Sequence, residues 1–365
     1  MGRAAPAIEG YQWQMSAPGE ISLREAVAFE PGPAEAVVRV VGCGVCHTDL
    51  GFLYDGVRPR HELPLALGHE IAGEVVATGE GCAELEGKAV IVPAVTPCGE
   101  CDACRAGRGP ICARQVMPGN DIQGGFASHV VVPARGLCVV SAAGALEGRA
   151  LAPCGATLAE LAVVADAVTT PFQAVQRSGL AEGGVALVVG LGGVGGYAAQ
   201  IAKARGATVI GFDVAADKLE LMRAHGVDLA IDPSAADAKE IKRDLRAFAA
   251  ERGLPKTGWR IYECSGTGAG QALAWSLMGH DAFLSVVGFT LESVDLRLSN
   301  LMAFDATAQG NWGCLPELYP DALELVLEGR VALSPFVEKH PLSEARRVLE
   351  DVHERRITRR AVLCP

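Results

Sequence analysis

Four cysteines lie between residues 98 and 112, close enough together to restrict how the surrounding chain folds. Cys98, Cys101, Cys104 and Cys112 follow the spacing C-x2-C-x2-C-x7-C, which lets a short loop bring four thiolates together as a tetrahedron. Such a closed set is typical of structural Zn²⁺, whose bonds to sulfur replace the hydrophobic core that a small lobe lacks. The spacing therefore predicts a structural zinc lobe over residues 95–114.

Two other interpretations of these cysteines remain open. Disulfides need an oxidising compartment, and the first residues show no signal-peptide pattern. An iron–sulfur cluster uses similar cysteine runs, but no proline follows Cys112 and no second run is present. The other cysteines are scattered singly: Cys43, Cys82, Cys138, Cys154, Cys264, Cys314 and Cys364, with Cys46 discussed below. Most are expected to be small buried side chains in a reducing cytosol, so we expect a cytoplasmic location.

Length and composition narrow the class of protein. The chain has 365 residues, enough for about two domains, and its 44 glycines and 5% aromatic content favour an α/β protein with many tight turns. Its net charge of −11 argues against nucleic acid or an anionic membrane as a partner, because both attract basic surfaces. The longest uncharged stretch, residues 183–202, is interrupted by clustered glycines and predicts a strand, a turn and a helix start rather than a membrane span.

The pattern of apolar residues changes along the chain. The first 150 residues favour short strands, at 36–41, 71–77, 89–95 and 129–133. From about residue 167 strands alternate with helices, with strands at 185–189, 208–213, 229–232, 259–264 and 282–287. The tail from about residue 312 returns to mixed helix and strand. A β-rich unit interrupted by a doubly wound α/β domain is therefore predicted.

Residues 190–195, Gly-Leu-Gly-Gly-Val-Gly, form the pattern G-x-G-x-x-G between an apolar strand and a helix. In that pattern Gly190 permits a tight turn, Gly192 admits a pyrophosphate to the backbone, and Gly195 lets the helix approach the strand. Free N–H groups at the helix start bind the phosphates. Asp213 ends the next strand, where a carboxylate hydrogen-bonds the ribose hydroxyls and repels a 2′-phosphate, so the pattern favours NAD over NADP. A glycine-rich turn without a cofactor is the alternative.

The same turn contains further candidate cofactor residues. Gly193 and Val194 lie within it, and Lys218 lies one helical turn into the next segment, where it is placed to touch the adenosine ribose. A solvated surface lysine is an equally good interpretation of Lys218.

A second group of candidate metal ligands precedes the cysteine lobe. Cys46 stands in Gly-Val-Cys-His-Thr-Asp, and His69 and Glu70 follow in Gly-His-Glu. A catalytic zinc needs about three protein ligands and one open position for substrate. A buried cysteine or a core histidine is the ordinary interpretation of each residue alone, but their presence beside a zinc lobe and a cofactor turn favours a metal site.

These patterns, in this order, resemble the medium-chain zinc-dependent alcohol dehydrogenases over essentially the whole chain. The resemblance implies a GroES-like catalytic domain at 1–166 and 310–365 and a Rossmann NAD-binding domain at 167–309. It also implies two zinc ions per subunit, one catalytic and one structural. The family's assemblies imply a homotetramer or a homodimer.

The resemblance implies roles for individual residues. Cys46 and His69 are zinc ligands, Glu70 is a carboxylate that exchanges with water, and the third ligand is expected at Asp166, before the run Thr-Thr-Pro-Phe. Cys154, twelve residues earlier, is the competing candidate.

The resemblance also implies a mechanism, in which zinc acts as a Lewis acid on the substrate alcohol and hydride passes to the nicotinamide. Thr48 is the catalytic hydroxyl that hydrogen-bonds the alkoxide, His47 lies at the pyrophosphate, and Asp49 orients a zinc-bound imidazole. A turn-capping Thr48 and a hydrogen-bonded surface Asp49 are the ordinary alternatives. The histidine that often continues the proton relay is replaced by Gly51, so the proton leaves through water, the ribose or another group. His61 is a candidate for that group, although a solvated loop histidine is the simpler interpretation.

The substrate is constrained least. The run from Pro93 to Gln123 resembles a branch of the family that oxidises a ring hydroxyl of a cyclic CoA thioester. The arginines available to CoA phosphates are Arg58, Arg60, Arg105, Arg108 and Arg114, and solvated surface arginines are the default interpretation. A small free alcohol or polyol is the alternative substrate.

Two other kinds of function are weighed against a zinc dehydrogenase. A zinc-free ene reductase is disfavoured by Cys46 and His69, although a zinc enzyme that reduces an enoyl-CoA remains possible. A non-catalytic protein with the same fold is disfavoured because neither the candidate ligands nor the glycine turn is damaged.

Overall fold

The computed structural model describes residues 7–365, which form two compact units. The first unit holds the described residues up to Thr169 together with Gly313–Gly329 and Leu333–Pro365. The second unit holds Thr170–Trp312 and Arg330–Ala332. The chain thus leaves the first unit, builds the second and returns.

The strands and helices are given in chain order. The strands are β1 (Ile8–Ala17), β2 (Glu20–Phe29), β3 (Glu35–Gly44), β4 (Leu65–Ala66), β5 (Glu70–Thr78), β6 (Ala89–Val92), β7 (His129–Pro133), β8 (Cys138–Val139), β9 (Val185–Val189), β10 (Thr208–Phe212), β11 (Leu229–Ile231), β12 (Arg260–Glu263), β13 (Phe283–Val286), β14 (Thr307–Gly310), β15 (Val337–Pro341) and β16 (Arg360–Cys364). The helices are α1 (His47–Leu53), α2 (Asp102–Arg105), α3 (Thr169–Arg177), α4 (Gly195–Ala204), α5 (Ala216–Ala224), α6 (Ala238–Glu251), α7 (Gly268–Ser276), α8 (Ser299–Phe304), α9 (Tyr319–Leu327) and α10 (Ala345–His353).

The first unit is built from two sheets. A seven-stranded sheet has the order β15-β16-β3-β5-β6-β8, with β7 paired to the other part of β3, and a smaller sheet has the order β2-β1-β4. The central strands β3 and β5 are antiparallel and end side by side, with Gly44 opposite Glu70. The C-terminal strand β16 pairs with the same end of β3, so residues near 360 lie beside residues near 45. These pairings place three distant parts of the chain around one point.

The second unit is a six-stranded parallel sheet of order β11-β10-β9-β12-β13-β14. Strand β9 is buried along its whole length, as its unbroken run of Val, Ala and Leu predicts for a strand covered on both faces. The order reverses direction between β9 and β12, and in sheets of this kind ligands bind at the carboxyl ends of the strands at that point. The α/β architecture predicted from the sequence is confirmed.

No helix in residues 7–365 combines the length and the apolar character needed to cross a bilayer.

Candidate functional site

The four cysteines of the predicted zinc lobe converge. Their sulfurs lie within 4.8 Å of one another, and the closest pairs, Cys101 to Cys104 and Cys101 to Cys112, are 3.5 Å apart. Two sulfurs of a zinc tetrahedron with bonds of about 2.3 Å are separated by about 3.8 Å, whereas a disulfide brings two sulfurs to about 2.05 Å. None of these thiols is in a disulfide. The geometry therefore fits a tetrahedral metal ion.

The backbone prepares two of the four thiols to be thiolates. Hydrogen bonds from backbone N–H groups, the strongest at Glu100, lower the pKa of Cys98 to about 6. The pKa of Cys101 is lowered in the same way, first by the backbone at Cys104. Desolvation instead raises the pKa of Cys104 to about 11. Because the thiolate is the metal-binding form, these backbone N–H groups favour metal binding at Cys98 and Cys101.

The second group consists of Cys46, His69, Glu70 and Asp166, whose candidate ligand atoms also lie within 4.8 Å of one another. The Asp166 Oδ2 atom is 3.6 Å from the Cys46 Sγ atom and 3.5 Å from the His69 Nε2 atom. These separations suit ligands arranged around one metal ion. Of the two candidates for the third ligand, Asp166 lies in this group, while the Cys154 thiol donates to the carbonyl of Leu151.

The buried carboxylate of Asp49, on α1, connects the segment that carries Cys46 with the loop that carries His69. Asp49 accepts hydrogen bonds from the backbone N–H groups of Cys46, at 2.9 Å, and Gly68, at 3.0 Å. Its Oδ1 atom is also 3.4 Å from the His69 Nδ1 atom. Asp49 is fully buried, so it ties together the two segments that supply the cysteine and the histidine. These distances are compatible with the role predicted for Asp49, which is to orient the imidazole of His69.

Glu70 is a buried carboxylate that accepts no hydrogen bond from residues 7–365. Both of its oxygens lack one, and a Cβ atom at residue 44 would lie 2.1 Å from Oε2, so Gly44 is needed to admit this side chain. The Arg360 Nη2 atom lies 3.2 Å from Oε1, and Nη1 donates to the carbonyl of Val45. Burial raises the pKa of Glu70 to about 7 against the opposing effect of Arg360. A buried carboxylate whose oxygens accept no hydrogen bond within residues 7–365, with Arg360 beside only one of them, is what a divalent cation would stabilise further.

The charge balance of the second group also favours a cation. Burial alone lowers the pKa of His69, but the Asp49 charge and the hydrogen bond to Asp166 raise it well above its usual value. The excess of negative groups around this imidazole is the cause. A mixed set of thiol, imidazole and carboxylate ligands suits Zn²⁺.

Thr48, His47 and Gly51 follow Cys46 on α1. The Thr48 Oγ1 atom is 3.8 Å from the Cys46 Sγ atom and its side chain is half-buried, which places a hydroxyl at the edge of the ligand group. His47 is exposed. A Cβ atom at Gly51 would meet only Val57, so this position has no polar group to continue a proton relay. His61 donates its backbone N–H to Asn120 and stays outside both ligand groups.

The glycine turn lies where β9 ends and α4 begins, at the reversal of strand order. Gly190 has φ +85°, a left-handed conformation that favours glycine. A Cβ atom at Gly195 would lie 1.7 Å from the Gly190 carbonyl oxygen, whereas one at Gly192 would meet only the Lys218 Nζ atom at 3.9 Å. There is therefore no space for a side chain at Gly195, whereas the backbone at Gly192 is accessible, and that is where the pattern places a phosphate. Gly193 and Val194 complete it.

Asp213 follows β10 and supports this turn. Its Oδ2 atom accepts from the backbone N–H of Leu191 at 2.8 Å, and Oδ1 accepts from Ala215 at 2.9 Å. Each oxygen keeps a lone pair for a ribose hydroxyl. Lys218, on α5, is half-buried with its ammonium group facing Gly192. These residues fit a dinucleotide.

Arg360 is a site residue that sequence reasoning missed. It lies almost three hundred residues beyond Glu70 in the chain, and no motif or ligand spacing around it points to a site. Only the pairing of β16 with β3 brings it to the ligand group, where its side chain is 6% exposed. The one usable signal was its place inside an apolar C-terminal strand.

Two family models match the chain: residues 32–142 match the alcohol dehydrogenase GroES-like domain, and residues 193–328 match the zinc-binding dehydrogenase family. The GroES-like part of the predicted fold is thereby confirmed. The two matched ranges hold every residue of the two ligand groups except Asp166, together with Gly193, Val194, Gly195 and Asp213.

Similar proteins include enzymes and solved structures. Alcohol dehydrogenase 1 of Emericella nidulans is 30% identical over 247 residues, which cover 66% of this chain and 67% of that protein. Acryloyl-coenzyme A reductase of Metallosphaera sedula is 29% identical over 235 residues, 64% of this chain and 67% of that protein. The structure of galactitol-1-phosphate dehydrogenase from Escherichia coli shares the fold with a TM-score of 0.84 at 24% identity, covering 97% of this chain and 100% of that one.

Proposed function

Because the chain belongs to the medium-chain zinc-dependent alcohol dehydrogenase family, we propose that it transfers hydride between a secondary alcohol and NAD. It is a zinc-dependent oxidoreductase, and its cofactors are zinc and a nicotinamide dinucleotide. The observation that supports the proposed reaction best is the convergence of Cys46, His69, Glu70 and Asp166 on one point.

Cys46, His69 and Asp166 are the proposed protein ligands of a catalytic zinc, and Glu70 is a nearby carboxylate able to exchange with water. When bound, zinc supplies a Lewis acid that stabilises negative charge on the substrate oxygen. Asp49 orients His69 through the 3.4 Å contact, and Arg360 balances the charge of Glu70. Cys98, Cys101, Cys104 and Cys112 hold a separate structural zinc.

Thr48 is the proposed proton carrier. Its hydroxyl is half-buried beside Cys46 and able to accept the proton of the substrate alcohol while donating its own outward. Position 51 has no side chain to continue that transfer, so water or the cofactor ribose completes it.

NAD is proposed over NADP because of Asp213. A carboxylate at the end of β10 accepts hydrogen bonds from ribose hydroxyls and repels a 2′-phosphate. The turn at residues 190–195 holds the pyrophosphate with its backbone N–H groups, Lys218 approaches the same ligand, and His47 is proposed at the pyrophosphate.

The boundaries proposed for the two domains remain 1–166 with 310–365, and 167–309.

The proposed substrate is a cyclic secondary alcohol that is part of a CoA thioester. The run from Pro93 to Gln123 resembles 6-hydroxycyclohex-1-ene-1-carbonyl-CoA dehydrogenase, which oxidises a ring hydroxyl to the 6-oxo product in anaerobic aromatic degradation. The similar acryloyl-coenzyme A reductase supports a CoA thioester and also favours a second candidate, reduction of an enoyl-CoA. A free alcohol or polyol is the remaining alternative.

A homo-oligomer, a dimer or a tetramer, is proposed from the edge of the second unit's sheet. Strand β14 is exposed along its whole length and pairs with β13 alone among the described strands. Large apolar side chains nearby in sequence are also exposed: Phe289, Leu291, Leu298 and Met302. An unprotected edge with apolar neighbours suits pairing with a second copy across a two-fold axis. Sedimentation of a monomer at micromolar concentration would contradict it.

A cytoplasmic location is proposed because the twelve cysteines, all of which lie in residues 7–365, form no disulfide.

A substrate panel tests the reaction. Purified enzyme is assayed with NAD or NADP and with cyclic alcohols, polyols and hydroxylated cyclic CoA thioesters, and in reverse with enoyl-CoA and oxo-CoA compounds. We expect NAD reduction with the hydroxylated CoA thioester and none with the matched free acid. Turnover of free polyols alone overturns the CoA substrate, and reduction of enoyl-CoA alone supports the second candidate. Less than two zinc ions per chain in active enzyme overturns the proposed catalytic metal.

A further inference from the structure

The hydroxyl of Tyr319 joins two segments of backbone that are far apart in sequence. Tyr319 begins α9 and is fully buried. Its Oη atom accepts a hydrogen bond from the backbone N–H of Ala94 at 3.0 Å and donates one to the carbonyl of Ala165. Ala165 immediately precedes Asp166, so the hydroxyl binds the peptide group next to a proposed zinc ligand.

The Ala165 carbonyl is held from two sides. The Thr169 hydroxyl also donates to it, at 3.0 Å, and Thr169 is fully buried. The residues around Asp166 form a short 3₁₀ turn, Glu160–Ala165, in which every side chain is buried. Asp166 itself has φ −139° and ψ −57°, outside regular helix or strand. The peptide that joins Ala165 to Asp166 is therefore held by these two hydroxyls, and a backbone hydrogen bond from the N–H of Val168 to the carbonyl of Val163, 3.2 Å long, closes the turn around it.

The other partner of Tyr319 leads to the cysteine lobe. Ala94 lies two residues after β6 and two residues before Thr96, which exchanges two backbone hydrogen bonds of 2.9 Å with Val116. That pair closes the base of the segment containing Cys98 to Cys112. The Tyr319 hydroxyl thus connects the base of the structural lobe with the segment that ends in Asp166.

We propose that Tyr319 is a positioning residue that holds the Asp166 carboxylate in place for the catalytic metal. This rests on the proposed function in one respect, that Asp166 is a ligand. Metal ligands need to stay within a few tenths of an ångström of their bonding positions. Removing the hydroxyl leaves the buried N–H of Ala94 without a partner and the Ala165 carbonyl with Thr169 alone, which frees the segment that carries the ligand.

The test compares Tyr319→Phe with Tyr262→Phe in the zinc-loaded enzyme. Tyr262 is a matched control, since it is equally buried and its hydroxyl is 2.7 Å from the Ser178 hydroxyl in the second unit. Zinc per chain is followed during dialysis against a chelator, and the visible spectrum is recorded after Co²⁺ replaces the catalytic zinc. We expect Tyr319→Phe to lose one zinc about 10-fold faster than wild type and to shift the Co²⁺ bands. Tyr262→Phe is expected to match wild type in both measurements.

Wild-type zinc release and an unchanged Co²⁺ spectrum in Tyr319→Phe would overturn the proposal. If that variant does not fold, Thr169→Val removes the other hydroxyl from Ala165 and gives the decisive comparison: faster release of one zinc supports the proposal and wild-type release overturns it. Failure of the proposed function gives a different result, because wild-type enzyme itself would then hold fewer than two zinc ions.

Discussion

The two ligand groups of this protein differ in how they are assembled. The cysteine lobe takes all four ligands from residues 98–112, connected by a single short helix and a turn. The second group takes its ligands from the start of α1, the start of β5 and the segment before α3, spread over residues 46 to 166. The first is a property of one loop, while the second exists only when distant strands have paired.

The two groups also differ in the chemistry of their ligands. The lobe offers four thiols and no open position, which suits a metal that only stabilises structure. The second group offers one thiol, one imidazole and two carboxylates, and one of these, Glu70, lies beside Arg360 and accepts no hydrogen bond within residues 7–365. With Cys46, His69 and Asp166 as the three proposed ligands and Glu70 beside Arg360, a tetrahedral metal keeps one position for substrate. We therefore expect variants of the four lobe cysteines to lower stability and variants of the second group to lower turnover.

The largest effect is expected from Cys46→Ala. Loss of the thiolate should remove the catalytic zinc, lower turnover by about 10³-fold or more and leave one zinc per chain in the lobe. Cys138→Ala is the control, since Cys138 is a buried thiol outside both groups. Elemental analysis measures the zinc content and initial rates measure the turnover. A Cys46→Ala protein that keeps both metals would show that this thiol is not a metal ligand.

The next effect concerns the third ligand. Asp166→Ala should lower zinc content by one ion per chain and turnover by about 10²-fold or more, whereas Cys154→Ala should change neither. The reason is that the Cys154 thiol is engaged with the Leu151 carbonyl and lies outside the ligand group. The opposite pattern would make Cys154 the ligand, and two zincs with full activity in both variants would refute the ligand set.

Thr48→Ala tests the edge of the second group. Turnover should fall by about 10²-fold because the proton carrier is lost, while zinc content and NADH affinity, measured by fluorescence titration, stay near wild type. Thr48→Ser keeps a hydroxyl and should recover most of the rate. Unchanged turnover in Thr48→Ala would exclude this residue from the reaction.

The smallest effect on turnover is expected in the lobe. Cys104→Ser should release the structural zinc and lower the melting temperature by several degrees, because metal binding contributes directly to folding free energy. Turnover of the folded enzyme at 25 °C should change by no more than about 3-fold. A loss of turnover as large as in Cys46→Ala would show that the lobe serves the reaction directly.

Local features of the chain were predictable from its sequence. The cysteine spacing and the glycine turn each lie within a few residues, so the short backbone between the residues determines most of their geometry. The strand at 185–189 was also predictable, because a run buried on both faces needs no alternation of apolar and polar residues. Outside these segments β2 and β14 gave no clear signal because most of their residues are exposed, and β1 gave none because its polar residues Gln12 and Gln14 are buried.

The sequence by itself therefore determined the family, the closed lobe and the cofactor turn. The tertiary structure decided that Asp166 rather than Cys154 joins Cys46 and His69, that Arg360 faces Glu70, and that Tyr319 holds Ala165. The physical reason is the distance along the chain. Side chains separated by a hundred or more residues meet only through strand pairing and core packing, and those contacts depend on the whole fold rather than on any local spacing.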